Sequence, residues 1–159
     1  MKNLTALSLK IVEQQLYVLD QTLLPQQQQW LHCTTVPQMV SLIKNLQLRG
    51  APAIGIGAVL LLAYRALQGD SREQLLQDAA VLRAARPTAV NLMNNLDSML
   101  AALAQPDFVA AAVACAEALF AEDVALCEQL AINGAALVQP GERLLTHCNT
   151  GGLATAGRA

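Results

Sequence analysis

The sequence has little charge and few aromatic side chains. Charged residues make up 14% and aromatic residues 3% of its 159 positions, whereas an average soluble domain has about 25% charged residues. With 10 basic and 12 acidic residues, the chain has no positive field to hold a phosphate polymer, which excludes nucleic acid as a partner. The hydrophobic content of 54% excludes intrinsic disorder.

Long apolar runs are also lacking. The longest, Ala51 to Tyr64, has about 14 residues, fewer than the roughly 18–20 that span a bilayer. It contains Pro52 and is interpreted as a buried core helix. Lys2 and Lys10 are not followed by the apolar stretch of a signal peptide. We therefore expect no membrane partner and a cytoplasmic location.

The four cysteines form no Cys-x-x-Cys pair. In a chain without a secretion signal they are expected to be reduced thiols. Cys115 and Cys127 lie in an Ala-rich helical stretch and are predicted to be small core residues. The dipeptides His32-Cys33 and His147-Cys148 lack the spacing of a standard metal site, so no metal is expected.

The first part of the chain is predicted to be a small antiparallel meander. Short runs rich in Val, Ile, Leu and Tyr occupy Leu9 to Glu13 and Leu16 to Leu19, and Gln28 to Cys33 is a possible third strand. About five helices follow. Their expected starts are Thr35, which forms a capping box with Gln38, then Gly50-Ala51-Pro52, Asp70-Ser71, Pro87-Thr88 and Asp107.

The chain is expected to divide near Pro140-Gly141. Residues 1–138 form an α+β N-terminal domain of meander plus helices. In residues 139–159, Arg143 to His147 is predicted as a strand and Leu153 as the opening of a helix. A strand that leads through a glycine turn into a helix is the first half of a βαβ unit. Residues 139–159 are therefore interpreted as the start of a second, truncated domain of a longer protein.

Three features point to an anionic ligand. Arg49 precedes the helix opening at Gly50, Arg86 precedes the one opening at Pro87, and a turn over Asn149 to Gly152 precedes the one near Leu153. Helix N-termini bind phosphate through free amides, and glycines allow close approach to the backbone. Each feature alone is typical of a solvated surface residue or an ordinary turn. Together they suggest a small phosphate ester.

Cys148 is the sharpest single candidate. It lies at the end of the predicted strand, where ligands gather in open α/β sheets, and a following helix would favour its thiolate form. The alternative is a buried structural cysteine, and the residues alone leave both readings open. His147 is no partner for it, because neighbours on a strand point to opposite faces.

Three blocks of sequence resemble those of the methylthioribose-1-phosphate isomerases, in order and spacing. The blocks are Arg49 to Gly55, Arg86 to Leu92 and Thr146 to Gly157, and Leu19-Asp20-Gln21 also matches. The wider superfamily includes ribose-1,5-bisphosphate isomerase and the regulatory subunits of translation initiation factor 2B.

The resemblance implies an aldose–ketose isomerase, which is an intramolecular oxidoreductase. It would convert 5-methylthioribose 1-phosphate to 5-methylthioribulose 1-phosphate in methionine salvage, without a cofactor and as a homodimer. It makes Cys148 catalytic. The implied substrate-binding residues are Arg49, Gly50, Ala51, Arg86, Asn149, Thr150, Gly151 and Gly152.

The resemblance also implies a Rossmann-like C-terminal half. That half would carry an aspartate proton donor and an Asn-Lys pair, which this chain does not reach, so we expect the chain alone to be inactive. Two alternatives are a non-catalytic regulatory or scaffold subunit and a ribose-1,5-bisphosphate isomerase. The latter would need more basic residues for a second phosphate.

Overall fold

The computed structural model describes residues 1–157, which form an antiparallel meander followed by five helices. This is the predicted α+β domain. The strands are β1 (Leu4–Thr5), β2 (Leu9–Val12), β3 (Gln15–Leu19) and β4 (Trp30–His32), and they lie in the sheet in that order. A short 3₁₀ helix, Gln21–Leu23, links β3 to the turn before β4.

The sheet buries one face because its apolar residues alternate. Leu9 and Ile11 of β2 pair with Val18 and Leu16 of β3, and all four are fully buried. Glu13 and Gln14 form the tight turn between these strands with positive φ. The three predicted strands are confirmed, but β1 was not predicted. Its two residues are too few to show an alternating pattern.

The helices are α1 (Val36–Lys44), α2 (Ala51–Leu67), α3 (Arg72–Ala85), α4 (Val90–Leu103) and α5 (Phe108–Ala135). The capping box of Thr35 with Gln38 is present at the start of α1. Ser71 and Asp107 cap α3 and α5 through their side chains. These three predicted helix starts are confirmed. They could be predicted because each cap joins residues that are close together in sequence.

Helix α2 is the centre of the domain, as its apolar sequence indicated. Almost every residue from Ala53 to Ala66 is buried. It packs against α4 closely enough that a β-carbon at Gly55 would lie 2.7 Å from Asn95 Nδ2. The N-terminal end of α2 is thereby fixed beside the link between α3 and α4.

Helix α4 begins later than predicted. Pro87 and Thr88 form a turn, closed by the Ala89 amide donating to the Arg86 carbonyl (3.0 Å), and the helix starts at Val90. Pro87 excludes Arg86 from helical geometry, and Arg86 has φ −149° at the end of α3. Arg86 therefore ends one helix and does not immediately precede the next.

The strand and helix predicted after Pro140 are wrong for this structure. Residues 143–147 pair with no strand among the described residues, and residues 151–157 form turns. Leu144 is 70% and Leu145 100% exposed. A strand needs a neighbour for its backbone hydrogen bonds, and the described chain provides none here. The Rossmann-like identity of this part stays a prediction.

None of the helices in the described chain combines the length and apolar character needed to cross a membrane.

Candidate functional site

Five of the candidate residues line one cavity of about 210 Å³, although they come from three distant parts of the chain. We call it the Cys148 cavity. The start of α2, the link between α3 and α4, and the segment after residue 147 each contribute to its wall. The lining residues are Gly50, Ala51, Ile54, Arg86, Thr88, Ala89, Cys148 and Asn149.

Cys148 is exposed and has a left-handed backbone, with φ +63°. This conformation is uncommon for a residue other than glycine, and it is found often at functional sites. No helix follows it, so the expected helix N-terminus is absent within residues 1–157. The alternative of a buried structural cysteine does not fit its exposed position.

The other cysteines have structural surroundings. Burial raises the pKa of the Cys33 thiol to about 12, and it also raises the pKa of Cys115. Cys127 is buried on α5 against Gly157. A thiol with a raised pKa is a poor nucleophile. Cys148 is the exposed cysteine of the four.

Arg86 brings a positive charge to the Cys148 cavity. Its side chain is half-buried, and no carboxylate of residues 1–157 forms an ion pair with it. A guanidinium that is partly withdrawn from water favours an anionic partner. The cavity therefore has a cationic group that can interact with an anion.

Arg49 does not line the Cys148 cavity, and its predicted contact with a ligand stays a prediction. Its Nη2 donates to the carbonyl oxygen of Gln21 at 2.9 Å. Its Nε is buried and has no hydrogen-bond partner within residues 1–157. The neighbouring Gly50 and Ala51 do line the cavity. The side chain of Arg49 lies outside it, although Arg49 is next to them in sequence.

The segment 151–157, which we call the return segment, packs back onto the domain. The Ala154 carbonyl accepts from the Ala53 amide at 3.0 Å, so one of the free amides expected at the start of α2 is already occupied. The Ala156 amide donates to Asp123 Oδ2 at 2.6 Å. Gly151 and Gly152 belong to this segment and do not line the Cys148 cavity.

Thr150 is exposed and does not line the Cys148 cavity either, whereas its neighbour Asn149 does. Of the predicted turn, then, only its first residue reaches the cavity.

Sequence reasoning missed Asp123 and assigned no role to Gln21. Asp123 is half-buried and accepts a hydrogen bond from the Ala156 amide. Gln21 Nε2 donates to the Leu153 carbonyl at 3.0 Å. The Leu19-Asp20-Gln21 match was the available signal for Gln21, and no local pattern marks Asp123.

A second cavity of about 270 Å³ lies between α2, α4 and α5. Its polar lining comes from Asn91, Asn94, Asn95, Ser98, Glu122 and Asp123, with no basic residue. Two carboxylates without a cation disfavour a phosphate group. Of these two cavities, the Cys148 cavity is the one with a basic residue in its lining.

The chain is similar in sequence to known proteins. A family model described as "Initiation factor 2 subunit family" matches residues 47–156. The methylthioribose-1-phosphate isomerase of Cronobacter sakazakii is 57% identical over 157 residues, which is 99% of this chain and 46% of that protein. The isomerase of Yersinia pestis is 56% identical over 155 residues. The chain thus spans about half the length of the curated relatives it matches.

Two solved structures share the fold. The 5-methylthioribose 1-phosphate isomerase of Pyrococcus horikoshii has a TM-score of 0.81 at 31% identity, covering 95% of this chain and 46% of its own. The translation initiation factor eIF-2B subunit delta of A. fulgidus has a TM-score of 0.82 at 32% identity, covering 96% and 48%.

Proposed function

The chain belongs to the Initiation factor 2 subunit family, and within it we propose that the chain supplies the N-terminal part of an enzyme that isomerises 5-methylthioribose 1-phosphate. The product is 5-methylthioribulose 1-phosphate, and the reaction belongs to methionine salvage. The curated relatives named for this substrate are 55–57% identical across almost the whole chain.

One observation carries the proposal, namely that Cys148 and Arg86 line the same cavity as Gly50 and Ala51. Arg86 holds the substrate phosphate through charge-assisted hydrogen bonds. The backbone of Gly50 and Ala51 forms a wall that a sugar can approach closely. Cys148 lies beside them as the lining thiol that takes part in moving hydrogen between C2 and C1 of the sugar.

The phosphate on the anomeric carbon explains why one thiol does not suffice. Ring opening requires a proton on the ring oxygen, and hydrogen must then move from C2 to C1. The described lining residues include no carboxylate. We infer that an aspartate proton donor and an Asn-Lys pair come from a Rossmann-like half that begins near residue 139, and that residues 1–159 alone do not turn over substrate.

The likeness to an initiation factor 2B subunit supports one alternative, a non-catalytic regulatory subunit. Cys148 and Arg86 favour the enzyme, since a scaffold has no use for a thiol beside a cation at a cavity. A bisphosphate substrate is disfavoured, because Arg86 is the one basic side chain among the described residues lining the Cys148 cavity. We further propose a cytoplasmic homodimer that needs no cofactor.

The test joins residues 1–157 to the remaining half of the Cronobacter sakazakii isomerase and measures conversion of 5-methylthioribose 1-phosphate. We expect turnover by this chimera, loss of at least about a hundredfold in kcat for Cys148→Ser, and little change for the matched control Cys115→Ser. Arg86→Ala should raise KM. Full activity of the Cys148→Ser chimera would contradict the proposal, as would turnover by the 159-residue chain alone.

A further inference from the structure

Gln21 is buried, and its backbone amide, backbone carbonyl and side-chain Nε2 each have a hydrogen-bond partner. It is 4% exposed. Its amide donates to the Gln47 carbonyl at 3.0 Å, and its carbonyl accepts from Arg49 Nη2 at 2.9 Å. Its side-chain Nε2 donates to the Leu153 carbonyl at 3.0 Å. A buried amide with this many partners is costly to leave unsatisfied.

The return segment has no regular secondary structure, so contacts with other parts of the domain hold it in place. Its hydrogen bonds to the rest of the domain are few: Leu153 to Gln21, Ala154 to Ala53, and Ala156 to Asp123. Ala154 and Ala156 are also buried. Within the segment, the Ala154 amide donates to the Gly151 carbonyl at 2.8 Å. The segment begins three residues after Cys148, so its position determines where Cys148 can lie.

We propose that Gln21 is a positioning residue for Cys148. Its side chain holds the return segment at Leu153, and Arg49 holds Gln21 by donating to its backbone carbonyl. The pair thereby keeps the chain from Cys148 onward folded against the start of α2, with Cys148 beside Arg86. Arg49, which does not line the Cys148 cavity, would then act by holding Gln21 in place. The effect on catalysis through Cys148 rests on the proposed function.

Gln47 offers a matched control. Its side-chain amide also donates to a neighbour, Asp20, in the same part of the fold. Its side chain has no hydrogen bond to the return segment within residues 1–157. Gln21→Met and Gln47→Met therefore remove one side-chain amide each at similar volume, but only the first removes a contact to Leu153.

The experiment measures amide hydrogen exchange in the purified 159-residue chain. For Gln21→Met we expect exchange at the Ala53 and Ala156 amides to rise about tenfold, since losing one buried hydrogen bond costs about as much as a tenfold change in an equilibrium constant. The amide of Leu61, inside α2, reports on global unfolding and should change much less. Gln47→Met should leave the ratio of the exchange rates at Ala156 and Leu61 near its wild-type value.

Equal acceleration at Ala156 and Leu61 would overturn the proposal, because it would mean that Gln21 only adds general stability. An unchanged Ala156 amide would also overturn it. If Gln21→Met does not fold, Gln21→Asn tests the same contact, since its side-chain amide is one methylene shorter and does not reach the Leu153 carbonyl. Because no turnover is needed, an inactive chimera would refute the proposed function without affecting this result.

In the active chimera the same variant separates positioning from stability. Gln21→Met should lower kcat at temperatures where the folded fraction is unchanged, and Gln47→Met should not. An unchanged kcat for Gln21→Met would overturn the link to Cys148.

Discussion

The α-carbon of Gly50 lies against Ala154 so closely that a β-carbon at position 50 would overlap the Ala154 backbone. Gly50 also has φ +93°, a conformation that glycine adopts without strain. These two properties join the start of α2 to the return segment. A side chain at position 50 should therefore detach the segment as well as strain the backbone.

Gly50→Ala tests this contact, and Gly69→Ala is its control. Gly69 has a similar φ of +96°, but a β-carbon there would meet nothing within 4 Å. We expect Gly69→Ala to lower the free energy of unfolding by about 1 kcal/mol from backbone strain alone. Gly50→Ala should cost about 3 kcal/mol because steric overlap adds to the strain, and it should expose the Ala53 amide to exchange. Urea unfolding and hydrogen exchange measure both effects, and equal costs for the two variants would contradict the expected overlap.

The features that were predictable from sequence are local ones. The capping box of Thr35 with Gln38 and the Asp107 cap each involve residues within one turn of helix, so a short window holds the complete signal. Gly50, Arg86, Cys148 and Asn149 were singled out from predicted helix starts and a predicted strand end, the family resemblance added Ala51, and the structure brings all five to one cavity.

What sequence reasoning missed depends on contacts between distant residues. Arg49 donates to Gln21, and Asp123 accepts from Ala156. Neither pair has a periodic or capping pattern. The strand expected at 143–147 failed for a related reason: its apolar residues fit the pattern of a strand, but strand formation also requires a partner, and no window of sequence reports whether one is present.

Arg65 should stabilise the domain through two carboxylates. Its Nη2 lies 2.5 Å from Asp70 Oδ2 and its Nε 3.1 Å from Asp78 Oδ2. Asp78 is 7% exposed, so losing its cation leaves a largely buried charge. We expect Arg65→Met to cost about 2 kcal/mol in unfolding free energy, a value between those of surface and buried pairs.

Arg83→Met is the matched control for Arg65→Met. Arg83 pairs with Asp97, whose side chain is 64% exposed, so the expected cost is below about 1 kcal/mol. Urea unfolding of both variants checks the difference. If Arg83→Met were as destabilising as Arg65→Met, burial of Asp78 would not be the cause.

Asp20 should make stability depend on pH. Burial raises the pKa of its carboxyl, but hydrogen bonds from the Thr22 hydroxyl, the Gln47 amide and the Thr22 backbone outweigh burial and bring the pKa below the usual 3.8. A lowered pKa in the folded state adds stability above the unfolded pKa and loses it as pH falls through the folded pKa. The unfolding free energy that Asp20→Asn removes should therefore be constant near neutral pH and shrink below about pH 4.

Urea unfolding of wild type and Asp20→Asn between pH 3 and 7 measures this difference. Thr22→Val, which removes the hydroxyl donor, should reduce the pH dependence in the same direction. A difference that grows as the solution becomes more acidic would contradict the sign.

Exposed apolar residues in the last part of α5 should make the chain associate with itself. Leu126 is 55%, Leu130 67% and Ile132 66% exposed, and Leu126 and Leu130 lie one turn apart on one face. Beyond the helix, Leu144 and Leu145 are more exposed still. Clustered apolar surface of this kind favours association, so we expect the 159-residue chain to form concentration-dependent oligomers or aggregates in sedimentation experiments.

The double variant Leu126→Gln/Leu130→Gln identifies the surface responsible, since it removes apolar area from an exposed face without touching the core. It should shift the sedimentation profile toward monomer. The control Leu76→Gln/Val81→Gln changes two residues of α3 that are 40% and 50% exposed, and it should leave association unchanged. If both double variants reduced association equally, the effect would come from general surface polarity. A monodisperse wild-type monomer at high concentration would contradict the prediction, because it would show that the exposed apolar residues of α5 do not cause self-association.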